Sequence, residues 1–566
     1  MKSLNDQIYY KMLFLKSGVL FILLSITVAA AGQYTIPHPP PRDDTHIQKP
    51  QFKQYNMFGN GVNRLSAETH ARFFDLSRHI RRVTDNPIPA KNVDAFGEVP
   101  DCSWFTNRNG EKKMSLETVA RGPHTGNGPD TTGEWKVIKA KTDGMSPGFW
   151  IEDSRGDRYI IKFDPLGYPE LATGAEVISS KILYAAGYNV PENYVTVFNP
   201  AKVTLSDNVT FTDRRGRKRA MKRTDLYDIF SRIDQQADGM IRAHASKFIP
   251  GTPVGSFRFV GTRKDDPNDF IPHEHRRELR GLLVIGSWIQ HYDNNLSNTF
   301  DSYIVENGRG YIKHYLIDFG GTFGASMYGP QPDNYGNEKV LDLPLIFARI
   351  LSLGFYRKQW EQWDTIPYKS AGTWESKTFD PRKYRFNTPV ESMENMTEQD
   401  AFWGAKIVMS FTDEQIDTLV TEGHYSDPEV QAYVAKILKE RRDKIGRAYF
   451  SRLCPLDDFR LEEQHNGNIR LYFKDLAVKS NLADSGDIEY KYCTVKKNIG
   501  INWKHAEVVR STYLSLSKED FRNLNDSFLT VAVKSRRGKG KWSRAMHVYL
   551  HAPDTVNQPV IAGLER

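Results

Sequence analysis

Cysteine is scarce: Cys102, Cys454 and Cys493 are the only three in 566 residues. Their spacing excludes a zinc knuckle and a CxxC redox pair, and none is read as catalytic. An exported chain could join two of them, but nothing in the sequence says which two. A large basic block is also lacking. The formal charge of +8 is spread along the chain, which argues against a nucleic-acid partner. The exception, Arg214-Arg-Gly-Arg-Lys-Arg219, reads as a solvated hairpin tip between Thr210-Phe-Thr and Ala220-Met-Lys. After Val28 no apolar run is long enough to span a bilayer. There is no internal repeat.

What is present starts with a targeting pattern. Lys11 and Lys16 precede an apolar run from Gly18 to Val28, and Ala29-Ala30-Ala31 supplies small residues for cleavage. Residues 1–31 are therefore expected to be a signal peptide, with Met12 an alternative start and an uncleaved anchor the alternative fate. That places the mature protein outside the cytoplasm, secreted or periplasmic. Residues 32–55 are Pro-rich (Pro37-His-Pro-Pro-Pro-Arg42) and read as an extended linker. Residues 56–134 form an N-terminal extension with a helix over Ser66–Arg82.

From Trp135 the texture changes to short strands: Trp135–Lys139, Gly148–Glu152, Arg158–Phe163, Tyr194–Phe198 and Arg242–Ile249. One helix interrupts them, with Leu171, Ala175, Ile178, Ile182 and Ala186 at helical spacing and Gly187 as its stop. The next part is mostly helical, with helices over 274–290, 341–354, 397–423 and 427–449. It includes a hairpin of Tyr303-Ile-Val with Tyr311–Ile317, turning at Asn307-Gly308. From about 459 alternating strands return (Asn468–Phe473, Tyr490–Val495, Ser527–Val533, Ala545–Leu550) and suggest a sandwich-like β-domain over 459–566. The expected class is α+β.

Group transfer from a nucleotide needs a cation on the phosphates, a partner that holds it, metal ligands and a carboxylate near the attacking group. Lys162 lies within an apolar strand, where an ammonium must find a partner or ligand. Glu176 in the next helix could pair with it, or could close a capping box with Thr173; Glu170 is the runner-up partner. His291-Tyr-Asp293-Asn-Asn-Leu-Ser-Asn298 follows a helix and holds an aspartate and an asparagine five apart. Leu316-Ile-Asp318-Phe-Gly320-Gly321 ends a strand on an acid followed by glycines, which suits a hard cation.

These five residues, in this order and on these elements, resemble the protein-kinase-like superfamily over roughly residues 135–450. The likeness is closer to its atypical branches (HipA-type, phosphoinositide-kinase-like and secreted kinases). It implies a two-lobed domain with an N-lobe at 135–255 and a C-lobe at 256–458. It also implies ATP with Mg2+ or Mn2+. Lys162 would meet phosphates, Glu176 would hold Lys162, Asp293 would orient or deprotonate the acceptor, and Asn298 and Asp318 would bind metal.

There are departures. No GxGxxG precedes Lys162; Lys141-Thr-Asp-Gly144-Met-Ser-Pro-Gly148 stands there, with Gly144 and Gly148 as candidate phosphate contacts. Tyr292 replaces the usual arginine, and no Ala-Pro-Glu segment follows Asp318. The adenine hinge falls by position at Lys247-Phe-Ile249 to Gly251. The expectation is a secreted ATP- and metal-dependent transferase moving phosphoryl or nucleotidyl groups to a protein or glycan acceptor. The alternatives are an inactive kinase-fold adhesion protein acting through its β-domain, and a carbohydrate-processing enzyme pairing Asp293 with Asp318.

Overall fold

The computed structural model describes residues 44–54, 76–84, 86–140, 148–212, 217–332, 334–339, 342–362, 367–386, 390–496, 501–521, 528–552 and 558–566. The expected signal peptide, Gly144 and most of the 66–82 helix lie outside these residues; the described Leu76–Val83 is helical.

The first sheet is built from β1 (Trp135–Ala140), β2 (Gly148–Glu152), β3 (Arg158–Lys162), β4 (Asn193–Phe198), β5 (Val203–Leu205) and β6 (Ile241–Lys247). Their order is β4-β6-β3-β2-β1-β5. Strict alternation in β1 would bury Lys139. A bulge between Val137 and Lys139 resets the register, so Ala140 turns inward and Lys139 stays exposed. Between β3 and β4 runs α1 (Leu171–Ala186), apolar on most sides and buried at nearly every position. Gly187 ends it at φ 121°, where a side chain would collide with the Phe105 ring.

A three-stranded sheet follows, with β7 (Thr252–Gly255), β8 (Thr299–Glu306) and β9 (Arg309–Leu316) in the order β9-β8-β7. The β8–β9 hairpin turns at Asn307 and Gly308, both at positive φ, as expected from the sequence. The end of the Pro-rich segment is docked here. Ile47 is buried beside Val254 and Ile312, its N–H donates to Gly310 O at 2.9 Å, and Lys53 bridges Gly255.

The helical part holds α2 (Arg277–Trp288), α3 (Leu343–Leu351), α4 (Glu398–Met409), α5 (Asp413–Thr421) and α6 (Pro428–Phe450). The single helix expected over 397–423 is two. Thr412 and Gln415 form a capping box that starts α5 and breaks the chain after Met409. The helix expected from 274 starts at Arg277, after a 3-10 turn at His273–His275. No described helix is long and apolar enough to cross a membrane.

The last part has two antiparallel sheets. β10 (Leu456–Glu463), β11 (Ile469–Asp475), β12 (Ile488–Lys496), β13 (Glu507–Val509), β14 (Tyr513–Leu516), β15 (Leu529–Arg537), β16 (Met546–His551) and β17 (Val560–Glu565) pair as β10-β11-β14 and β13-β12-β15-β16-β17. Leu471 and Leu514 of one sheet share a core with Tyr490, Val531 and Val548 of the other. Lys406 of α4 meets both Glu98 of the extension and Asp457 of β10. No disulfide joins the three cysteines; burial pushes the Cys454 thiol up to about 11.

Candidate functional site

Lys162 ends β3, paired in register with Gly148 of β2 and His244 of β6. Its Nζ lies 2.8 Å from Asp318 Oδ1 and 4.0 Å from Glu176 Oε2. Burial would depress this ammonium, but the Asp318 and Glu176 carboxylates outweigh it and hold its pKa above the ordinary lysine value. The lysine therefore stays charged at any physiological pH.

Glu176 is buried on α1 and is not part of a capping box. The helix begins at Leu171, so Thr173 already lies inside it. The capping work falls to Asp164, whose carboxylate accepts N–H groups of Glu170 (2.9 Å), Ala172 (2.7 Å) and Thr173 (2.8 Å). That leaves Glu176 to face Lys162. Its Oε1 also accepts the Phe319 N–H at 2.9 Å and the Asn193 side-chain amide at 3.3 Å. Glu170 is engaged elsewhere: its carboxylate accepts the Ser426 N–H at 3.0 and 3.1 Å.

The Asp293 loop leaves α2 through Gln290, at φ 52°. Asp293 Oδ1 accepts the Asn295 amide at 2.5 Å and Oδ2 accepts the Asn298 amide at 2.9 Å. Asn298 Nδ2 also donates to the Asp293 carbonyl at 2.6 Å. The spacing of five is thus the closure of a short loop, reinforced by a 3-10 turn at Leu296–Asn298 that Asn295 caps. The loop is joined to the next motif by the Ile317 N–H, which donates to Asn298 O at 3.0 Å. His291 is buried beside Phe319, and burial lowers its pKa to about 4, so it is neutral.

Asp318 sits at φ 64°, a left-handed conformation uncommon outside glycine, with its side chain 49% exposed. The next residue, Phe319, is fully buried, so the acid is held at the surface by an anchored neighbour. The structure therefore brings Lys162, Glu176 and Asp318 into one cluster and Asp293 and Asn298 into a second, connected through Ile317. Gly148 lies opposite Lys162. Ile249 is half-buried in the link between β6 and β7. Asn193 was not anticipated; its one sequence signal is an amide at the buried start of a strand.

Polar residues between 262 and 276, just before α2, fold inward as part of an ion network. Asp269 meets His273 at 2.7 Å and Arg276 at 3.4 Å, while Asp301 meets Arg263 at 3.0 Å and His314 at 2.7 Å. Trp104 of the extension stacks on His314 at 3.6 Å between ring centroids.

The oxygen donors fit a small hard cation. Asn298 spends its amide N–H groups on Asp293, its amide oxygen accepts the Ser297 hydroxyl at 3.4 Å and has a second lone pair for a cation, and Asp318 offers a half-exposed carboxylate beside Lys162. Among the described residues no three His, Cys, Asp or Glu side chains come together as a cage. Magnesium commonly relies on one or two protein oxygens plus substrate phosphates.

No protein-family model matches the chain, and no curated protein matches it in sequence. Among solved structures it is similar to the Helicobacter pylori proinflammatory kinase CtkA, at 11% identity and TM-score 0.29, over 57% of this chain and 97% of that one. It is also similar to the Golgi casein kinase with Mn/ADP bound, at 9% identity and TM-score 0.27, over 73% and 96%. At these scores the likenesses carry no argument of their own; the functional reading rests on the side-chain geometry.

Proposed function

We propose that this protein is a kinase-like transferase that uses ATP and a divalent cation, acting outside the cytoplasm. The observation that carries the reading is the position of Lys162 Nζ, 2.8 Å from Asp318 and 4.0 Å from Glu176, with the Asp293–Asn298 loop bonded to the residue before Asp318. Such a constellation serves phosphoryl transfer, where catalysis is mostly positioning and charge stabilisation. The strand order β4-β6-β3-β2-β1 with α1 inserted after β3 agrees with a kinase-like N-lobe. Lys162 would pair with nucleotide phosphates, and Glu176 would fix its direction. Asn298 and Asp318 would hold Mg2+ or Mn2+, which when bound neutralises phosphate charge. Asp293 would orient the acceptor hydroxyl and take its proton.

The test is a thermal-shift titration with ATP, with and without magnesium or manganese, beside Asp318→Ala. A nucleotide at about a hundredfold excess over its Kd stabilises the native state by about 2.7 kcal/mol. A metal-dependent shift in the wild type that is lost in the variant is expected. No shift with any nucleotide or metal would sink the reading.

A further inference from the structure

Beside the Asp293 loop lies a cavity of about 530 Å³. We infer that it is the acceptor site and takes a small saccharide bearing an anionic group, an inference that rests on the transferase reading. Its wall is continuous with the loop. Gln290 lines it, the Tyr384 O–H donates to the His291 carbonyl at 3.0 Å, and the lining Tyr335 packs on Tyr292 at 4.4 Å between ring centroids. A molecule seated there lies against the chain that leads directly into Asp293.

The charge of the lining selects an anion. Arg357, Lys358, Lys383, Arg385 and Arg441 face three acids, Asp342, Glu375 and Asp380. Asp342 and Asp380 are paired with the two lysines, which leaves Arg357, Arg385 and Arg441 against Glu375. Asp342 caps α3 through the Leu345 N–H and faces Lys358 at 3.9 Å, Asp380 faces Lys383 at 3.3 Å, and Glu375 accepts the Thr378 N–H at 2.9 Å. Arg441 is the deepest cation, 2% exposed. Its terminal nitrogens donate only to neutral oxygens: Gln290 Oε1 (3.0 Å), Glu375 O (2.8 Å) and Ser287 O (2.7 Å). Its Nε is buried and has no hydrogen-bond partner among the described residues. The Phe379 ring lies 3.8 Å and the Trp374 ring 5.2 Å from this guanidinium, but no carboxylate is in ion-pair contact with it among the described residues, and a buried cation so placed favours an anion nearby.

The rest of the lining suits a sugar ring. Tyr335, Tyr356, Trp360 and Tyr384 offer flat apolar faces, and Asn337 and Thr378 add polar side chains. The volume is that of a small-molecule site, which disfavours an extended acidic peptide. In the transfer, a saccharide hydroxyl oxygen would bond to the γ-phosphorus of ATP. The bond from that phosphorus to the β–γ bridging oxygen would break, ADP would leave, and the hydroxyl proton would pass to Asp293.

The experiment is calorimetric titration of the full chain with a sulfated, uronate-containing disaccharide from heparin, with lactose, with inorganic sulfate and with a short poly-glutamate peptide. The heparin disaccharide should bind at least about tenfold more tightly than the other three. Arg357→Glu with Lys383→Glu, both exposed positions, should weaken it by about tenfold or more, and Trp360→Ala should weaken it without changing charge. Melting curves confirm that each variant folds. Asp318→Ala should keep disaccharide binding while losing the metal-dependent part of the ATP shift. Label from γ-phosphate-labelled ATP should reach the disaccharide with wild type and not with Asp293→Asn.

If ATP binds but the disaccharide does not, or binds equally to the charge-reversed variant, the cavity inference is overturned and the transferase reading stands. Sulfate or the peptide binding as tightly as the disaccharide also overturns it. Disaccharide binding without any ATP shift overturns the acceptor role together with the transferase reading.

Discussion

The Phe319 N–H donates to Glu176 Oε1 at 2.9 Å, so the carboxylate that faces Lys162 also anchors the residue after Asp318. One side chain on α1 thereby sets the relation between the first sheet and the segment bearing the exposed acid.

Removing both members of the buried Lys162–Glu176 pair should cost less than the sum of removing each alone. Lys162→Met leaves Glu176 buried beside Asp318 without its cation and is expected to cost roughly 3–5 kcal/mol. Glu176→Gln keeps an oxygen for the Phe319 N–H and should be milder. The double variant should be less destabilised than the sum of the two, as read by urea denaturation in a double-mutant cycle.

Binding and turnover should separate between the two clusters. Asp293→Asn is expected to lower turnover by about 10²–10⁴ while the ATP-induced rise in Tm persists. Asp318→Ala should remove the metal dependence of that rise. Equal loss of the ATP shift in both variants would contradict the assigned roles.

Asp164 is expected to matter although it lies outside the helix it serves. Asp164→Ala strands three N–H donors at the start of α1 and should cost roughly 2 kcal/mol or more. Asp164→Asn keeps one acceptor oxygen and should recover part of the loss. Thermal melts of the two variants, side by side, check this.

Acid should weaken the fold partly through His124. Its Nε2 is bonded to the Asn193 carbonyl at 2.8 Å, and its ring stacks on Tyr194. Burial, helped by Lys181, lowers its pKa from 6.5 to about 4. The unfolded chain therefore binds a proton that the folded chain refuses. Stability from this group is complete above pH 6.5 and falls as pH drops toward 4. His124→Gln should flatten that part of the stability profile in denaturation midpoints measured between pH 7 and 4.5.

Local patterns were readable where local forces decide. The Asn307-Gly308 turn, the strands from Trp135 to Phe163 and the helix through Ile178 follow from side-chain period and turn chemistry. The five chemistry-bearing residues stood out because a lysine in an apolar strand and an acid before glycines are odd choices. What stayed hidden depends on distance along the chain. Asp164 caps residues six to nine positions ahead, farther than a capping box reaches. β10 carries Asp457, Asp458 and Arg460 across a register shift, so its alternation is broken before it can be read. Thr412 and Gln415 did carry a visible helix-start signature, but continuous helix formers on both sides masked it. The cavity draws its lining from residue 290 to residue 441, so no single stretch announces it.

The meeting of distant segments near Lys406 bears on the order in which the molecule is completed. The Leu564 N–H of β17 donates to the Ala95 carbonyl at 2.8 Å, while Glu98, three residues on, reaches Lys406. A ribosome delivers Ala95 long before Leu564, and contacts so far apart in sequence form late and slowly. The extension around Ala95 must wait, incompletely bonded, until β17 has emerged. A polypeptide stalled before β17 would therefore expose the unfinished seam to proteases and chaperones.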